Sequence, residues 1–410
     1  MKIGIFLADI PPEHGGVHTF QLEVVRAALA APGAHQFVLV LRAAEWPAWQ
    51  PLLGDHKWVD IGLPPEQRGR AHVGELLRRL PPLQSAVDEW NAEQARLHHN
   101  AVLTRAGIDA VWFPTPRYAR VDHPYVYTIL DVQHRRQPWF PEVGNWPEWS
   151  QRERFYREAL ARAFAVLVQN SVGADEVARY YGVDRERLVE VDHPTPTFSA
   201  ADIAASESAG APAGLPACFL LYPARFWPHK NHLVLLHALV ALRDERGLKL
   251  DLVLTGSDHG NVNHVRSEAT RLQVADQVHV LSFVERSQLI YLYRHALALV
   301  YPSLFGPENL PPLEAFALDC PVVAGAVAGA AEQLGDGAML VDPLDARQFA
   351  DAIARLHGEP ELRRQLIERG RARANRFTGR AYVDRVMATF DRLALARRNW
   401  PAGSTYPRPA

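Results

Sequence analysis

Residues 301 to 325 read YPSLFGPENLPPLEAFALDCPVVAG, and the rest of the chain is best read outward from them. ALALV just ahead of this stretch and PVVAG at its end are short apolar runs bounded by Pro and Gly, the pattern of strands buried in a parallel sheet. Between them, Pro311 and Pro312 suit the first turn of a helix, and Glu314 falls in its opening turns. A loop that leaves a strand and enters a helix is where an open α/β sheet receives its ligand, because free N–H groups there face anionic oxygens. A Glu at that place can accept hydrogen bonds from a pair of sugar hydroxyls. Helix starts also favour carboxylates for the dipole alone.

Upstream, CFLLYPARFWPHKNHLVLLHALVALRDE, starting at Cys218, reads as a strand, a loop and an amphipathic helix with Leu235, Ala238, Leu239 and Leu242 on one face. Its loop carries Arg225 and Lys230, two cations five residues apart. On a loop entering a helix, such a pair can clamp a diphosphate and stabilise a leaving group as its charge develops. LKLDLVLTG, QVHVLSFV and ALALVYPS follow as strands, with helices near 263–273, 287–295 and 345–376. The spacing predicts one doubly wound domain over 217–376.

The first half has the same character without sharing a sequence repeat. KIGIFLA is a strand, DIPPEHGGV a loop, and HTFQLEVVRAALAA a helix on which Leu22, Val25 and Leu29 recur at helical spacing. Gly15 and Gly16 let the backbone approach a bulky anion at that helix start. HQFVLVLR, KWVDIGL, IDAVWFPT, YVYTILD, AFAVLVQNS and RLVEVDHPTP read as further strands, with a long polar helix over 83–105. A second doubly wound domain is expected over 1–198. Residues 199–216 have the small, polar, Pro-bearing composition of a linker, 377–398 form a last helix, and 399–410 have the look of a disordered tail. DVQHRRQPWFPE, residues 131–142, combines a carboxylate, a His, two Arg and aromatics where a strand ends, which makes Asp131 and His134 candidates.

Composition narrows the function. The 410 residues are 48% hydrophobic and 22% charged with a formal net charge of -2, a globular balance with no polyelectrolyte signal for nucleic acid. Arg outnumbers Lys forty to four, so Lys230 is one of few. Cys218 and Cys320 are too few for a disulfide framework or a four-ligand zinc site and read as buried thiols of a reducing compartment. Asp9 interrupts the first apolar run before a signal-peptide core forms, and no window reaches the roughly 20 apolar residues of a membrane span. A cytoplasmic protein is expected. Residues 361–398 hold eleven Arg against four acidic residues; this is commonly a solvated face, and it also suits peripheral contact with the cytoplasmic face of the inner membrane.

The stretch at 301–325 resembles the signature of retaining glycosyltransferases of family 4, PSxxEGFGLPxLEAMAxGxPVVAS. The resemblance is strong over the second half and weaker over the first, at the glycine loop and at 131–142, which is similar to the family's HDLQHxxYPEFF segment beside the acceptor. It implies the GT-B fold, an α/β architecture of two Rossmann-like domains facing across a cleft, with the acceptor held mainly by the first domain and a nucleotide-sugar donor by the second. Carried over position by position, Arg225 and Lys230 match the family's GRxxxxKN cations and would hold the diphosphate, with Ala224 in place of the Gly. Gly15 and Gly16 match its GGV-type loop, and Glu314 its ribose-binding Glu. Residues 282–289, with Val284, match the wall of the base pocket. The family's first Glu, which contacts the transferred sugar, falls on Gly306; Glu308 two residues on, or backbone N–H groups at Asn309 and Leu310, would take that contact. The His ahead of Asp131 has become Leu130. The expected reaction transfers a sugar with retention to a glycan, lipid-linked or small-molecule acceptor in bacterial polysaccharide or related biosynthesis, with no metal or other cofactor. The loss at Gly306 leaves open an enzyme coupling an unusual unit (a pseudo-glycosyltransferase, or one with a deoxy or furanose donor) and a non-catalytic nucleotide-sugar-binding protein.

Overall fold

The computed structural model describes residues 1–10, 15–62, 81–306 and 308–399. Seven strands, β1 Lys2–Phe6, β2 Gln36–Leu41, β3 Trp58–Asp60, β4 Ala110–Phe113, β5 Tyr125–Thr128, β6 Ala165–Val168 and β7 Leu188–Glu190, form a parallel sheet in the order β3-β2-β1-β4-β5-β6-β7. Six more, β8 Phe219–Pro223, β9 Asp251–Thr255, β10 Val278–Val280, β11 Ala298–Tyr301, β12 Val322–Gly325 and β13 Ala338–Val341, form a second in the order β10-β9-β8-β11-β12-β13. Both are doubly wound α/β sheets whose chain direction reverses at one place, between β1 and β4 and between β8 and β11. There the loops diverge and leave a crevice at the strands' carboxyl ends. The two crevices face each other across a shared cleft, the GT-B arrangement expected from the sequence.

Burial follows the apolar runs. Ile3 and Ile5 of β1, Trp112 of β4, Leu221 of β8 and Leu299 of β11 are fully buried because each central strand is covered by helices on both faces. Several elements depart from the reading above. The 199–216 stretch contains a helix, Ala200–Ala209, whose N-cap Ser199 and third residue Asp202 form a reciprocal capping box. It docks on the helix Arg286–His295, where Glu207 pairs with Arg294 at 3.0 Å. Its Ala-rich composition is that of a helix once the box starts it. Cys218 is exposed at a strand start, whereas Cys320 is buried and burial pushes its thiol up to about 12. The tail beyond residue 399 lies outside the described residues. None of the described helices is long and apolar enough to cross a membrane.

The helix Gly379–Arg397 leaves the second domain and lies on the helix Gly16–Ala30 of the first. Gly379 permits close approach, since a Cβ there would stand 3.0 Å from that of Ala27. Val383, Val386, Phe390 and Leu393 are buried beneath it, and Arg397 pairs with Asp109 at 3.3 Å. Other arginines of this region make ion pairs on the surface: Arg371 meets Asp319 at 2.8 Å, and Arg364 bridges Glu361 and Glu368 at 2.6 and 2.9 Å.

Candidate functional site

Loops from both sheets line one cavity of about 510 Å³, a size that suits a small-molecule ligand. On the first domain's side, Gly15 (φ 59) starts the helix Gly16–Ala30, which has no side-chain cap and no acidic residue in its first turn. Among the described residues, no side chain caps its first N–H groups. A Cβ on Gly16 would lie 3.6 Å from Leu310 of the other domain, which places the two walls within van der Waals reach of each other here. Leu130 and Asp131 follow β5 into the same wall. The Asp131 carboxylate accepts the N–H of Gln133 at 3.0 Å and stands 3.7 Å from Arg152.

The second domain supplies the cations. Arg225 and Lys230 both line the cavity, on the loop after β8. Asn231 turns the chain in a left-handed conformation (φ 55) and its side-chain amide donates to the carbonyls of Pro302 and Pro343 at 3.2 and 2.7 Å. The Tyr222 hydroxyl donates to the Lys230 carbonyl at 2.6 Å. The Lys230 ammonium in turn donates to the Tyr301 hydroxyl at 3.0 Å. Tyr222, Asn231 and Tyr301, from the adjacent strands β8 and β11 and the loop after β8, thus fix where the ammonium can reach. Glu314 borders the cavity half-buried, and desolvation raises its carboxyl above the usual range; one oxygen accepts from the Tyr293 hydroxyl at 2.7 Å. Val284 lines the cavity beside Phe283 and Leu289.

The turn at 306–310 explains the departure from the family pattern. Gly306 has φ 110, and a Cβ there would come within 2.9 Å of the Asn309 carboxamide. The family pattern has Gly where this chain has Asn309, so two changes go together: the side chain absent at 306 makes room for the one present at 309. Asn309 Oδ1 accepts from Tyr301 at 2.8 Å, linking the turn to Lys230. Its backbone N–H donates to Gln333 Oε1 at 3.0 Å, so this N–H is already engaged, which leaves Leu310 as the backbone donor of the two expected. Glu308 borders the cavity, but its side chain is 1% exposed and turned to the first domain, where one oxygen accepts the His193 N–H at 2.7 Å. Burial holds its carboxyl well above the usual range. The cleft therefore meets a buried acid at 308, not an open carboxylate.

His134 is not among the cavity's residues. It is buried, with Nε2 2.9 Å from Glu153 and 2.9 Å from the Tyr181 hydroxyl, and burial pushes its pKa to about 4. Glu153 is the hub of that network: burial would raise its carboxyl, yet Arg135, Tyr181 and His134 hold it down to about 2. A candidate catalytic imidazole is thereby a packing element behind the Asp131 wall.

Sequence reading missed the contacts that join the walls. Glu142 of the first domain accepts both the backbone N–H (2.9 Å) and the ring Nδ1 of His229, inside the cation loop. The His229 ring stacks on Phe305 at 3.8 Å between centroids, and burial together with Lys230 pushes its pKa to about 4. Gln137 donates to the Leu304 carbonyl at 3.1 Å, and Ser171 donates to Glu332 at 2.7 Å. His193, buried against Phe20 (4.8 Å), completes the floor. A surplus of His next to loop carboxylates was the visible signal, but pairing across 87 residues was not.

The family model for glycosyl transferases group 1 matches residues 214–373. A D-inositol 3-phosphate glycosyltransferase of Saccharomonospora viridis is 31% identical over 267 residues; the match covers 62% of this chain and only 62% of that relative's length. One of Xylanimonas cellulosilytica is 28% identical over 405 residues, 95% of this chain and 93% of the relative. Among solved structures, Anabaena Alr3699/HepE in complex with UDP superposes with a TM-score of 0.64 at 16% identity, covering 98% of this chain and 100% of that one.

Proposed function

We propose that this protein, whose residues 214–373 match the family model for glycosyl transferases group 1, is a retaining glycosyltransferase that moves a sugar from a nucleoside-diphosphate donor to an acceptor held by the first domain. The observation that carries the reading is the meeting of Gly15, Gly16, Arg225, Lys230 and Glu314 around one cavity. In this reading Arg225, Lys230 and the start of the helix Gly16–Ala30 neutralise the diphosphate as it departs, Glu314 accepts from the ribose, Val284 borders the base, and the Gly306–Leu310 turn contacts the transferred sugar. Asp131 faces the acceptor. The departing phosphate oxygen takes the acceptor's proton on the face it leaves, which retains the anomeric configuration. The chain's own groups hold and orient both substrates, and no metal is assigned a part.

The test is a thermal-shift panel of nucleoside diphosphates and their sugar conjugates, since a ligand that binds only the folded state raises the melting temperature. UDP, the ligand of the Anabaena neighbour, heads the panel. Selective stabilisation by one nucleotide and by one of its sugar conjugates is expected, followed by diphosphate release when acceptor is present. A panel without any shift removes the donor assignment. Binding without release of diphosphate to any acceptor would favour the non-catalytic reading.

A further inference from the structure

Asn309 stands at the N-cap of the helix Leu310–Ala317, where an Asn ordinarily turns its carboxamide onto the first free N–H groups. Here it caps none of them. Its Oδ1 accepts instead from the Tyr301 hydroxyl at 2.8 Å, and its Nδ2 donates to the Gly306 carbonyl at 3.2 Å. The main chain of the turn has a separate support. The buried Gln333 carboxamide accepts the Asn309 N–H at 3.0 Å and donates to the Asn309 carbonyl at 2.9 Å. Gln333 therefore clamps the backbone, and the acceptor of the Asn309 side chain is committed to Tyr301.

What that commitment does follows from the supply of donors and acceptors. A tyrosine hydroxyl has one proton and can turn it in more than one direction. With the proton given to Asn309, the oxygen's lone pairs are left for the Lys230 ammonium, which donates to it at 3.0 Å. Ser303 is set in the same way. Its hydroxyl donates to the Phe305 carbonyl at 3.0 Å, and its oxygen lies 3.4 Å from the Lys230 nitrogen. Tyr301 and Ser303 are both buried, so bulk water competes little for either proton. An ammonium carries three N–H bonds, and two of them have these acceptors on β11 and the loop after it. Holding two fixes the direction of the third, and Lys230 lines the cavity.

We propose that Asn309 is a positioning residue for the diphosphate: by taking the Tyr301 proton it orients the Lys230 ammonium, and so strengthens anion binding without touching the anion. This rests on the glycosyltransferase reading of the cavity and extends it to a side chain outside the cation loop. The arrangement depends on this chain's own turn, because a Cβ at Gly306 would stand within 2.9 Å of the Asn309 carboxamide. Charge-assisted bonds to phosphate are directional, and each link of a hydrogen-bond chain polarises the next. Loss of the Asn309 acceptor therefore weakens what Lys230 does for phosphate and leaves the contacts to base and ribose alone.

The full chain is titrated by calorimetry with UDP, GDP and ADP, and with uridine, guanosine and adenosine by displacement of the diphosphate. The ratio of the two affinities is taken for the base that binds, since the nucleoside carries everything but the group that Lys230 would meet. Wild type is expected to prefer the diphosphate by about tenfold or more. Asn309→Leu removes the acceptor and Tyr301→Phe the hydroxyl, each at similar volume. Each is expected to lower that preference about three- to tenfold with nucleoside affinity unchanged. The double variant is expected to match the more affected single variant, because both act along one chain of bonds. Tyr301→Phe keeps the ring in place and carries the test if Asn309→Leu does not fold. A wild-type preference that either single variant leaves unchanged overturns the proposal and spares the glycosyltransferase reading. So does an equal loss toward nucleoside and diphosphate, or losses that multiply in the double variant. A wild-type chain that binds none of these compounds, or shows no preference for the diphosphate, overturns the donor reading and the proposal together.

Discussion

The two walls of the cleft are built from the same kind of loop, one that leaves a parallel strand and enters a helix, yet they are held in different ways. The second domain's wall is fixed by its own strand ends: Tyr222, Tyr301 and Asn231 pin the loop of Arg225 and Lys230 through bonds to neighbouring backbone and side chains. The first domain's wall at 131–149 is fixed from behind by Glu153, which gathers His134, Arg135 and Tyr181. A wall pinned at its strand ends keeps its geometry in a short stretch of sequence and can be recognised from it. One anchored to a remote hub leaves its outer side chains, such as Trp139 and Trp146, without a part in holding the shape.

That contrast predicts that the walls fail separately. Arg225→Ala should lower turnover by about 10²–10³-fold, the scale of losing one preorganised donor to a developing anion, with the melting temperature nearly unchanged. Measured by diphosphate release from the donor found in the nucleotide panel, unchanged product formation would refute the clamp. Glu153→Ala should do the reverse. It strands Arg135 and His134 around a buried vacancy at a cost of about 3–5 kcal/mol, read as a lower urea midpoint, while nucleotide affinity in the surviving folded fraction stays close to wild type. Equal loss of nucleotide binding would show the walls to be one cooperative unit.

Glu308 lies where the walls meet, and its effect is the smallest. Its folded-state pKa is raised by burial, so the protonated form is the one the fold favours. That contribution is fully present below the ordinary carboxylate range and is lost as pH rises toward the folded value. Glu308→Gln, which cannot ionise, should therefore flatten the decline in melting temperature as pH rises above the ordinary carboxylate range. A variant with the wild-type slope would show that other groups set it.

The fold was legible because strand and helix periods alternate with Gly- and Pro-marked loops through both halves, and the second domain's wall because its cations and Glu314 keep the spacing of the pattern it resembles. What stayed hidden has a common cause. Glu142 with His229, His193 with Glu308, and Glu153 with His134 are pairs made by folding, each between residues that are unremarkable in their own neighbourhoods. Exposure was equally unreadable for His134 and Cys218: a His beside two Arg reads as a surface residue, and a Cys beside an apolar run reads as core. The helix at Ala200–Ala209 was announced only by Ser199 and Asp202, a signal that small-residue composition masked. At Gly306 the loss of a carboxylate was plain, but its partner change at Asn309 acquires meaning only once φ and the crowding of the turn are known.

The helix Gly379–Arg397 has a consequence for how the molecule comes into being. It covers the first domain, yet it is the last described element to leave the ribosome. Until Phe390 and Leu393 have been translated, the helix Gly16–Ala30 has no cover on that side, so the half made first is completed last. A chain cut between the domains would leave the first half with an open apolar groove and the second with a stray amphipathic helix. Expression of either half alone should yield aggregation-prone protein, whereas the two halves synthesised together can restore each other by returning that helix to its groove.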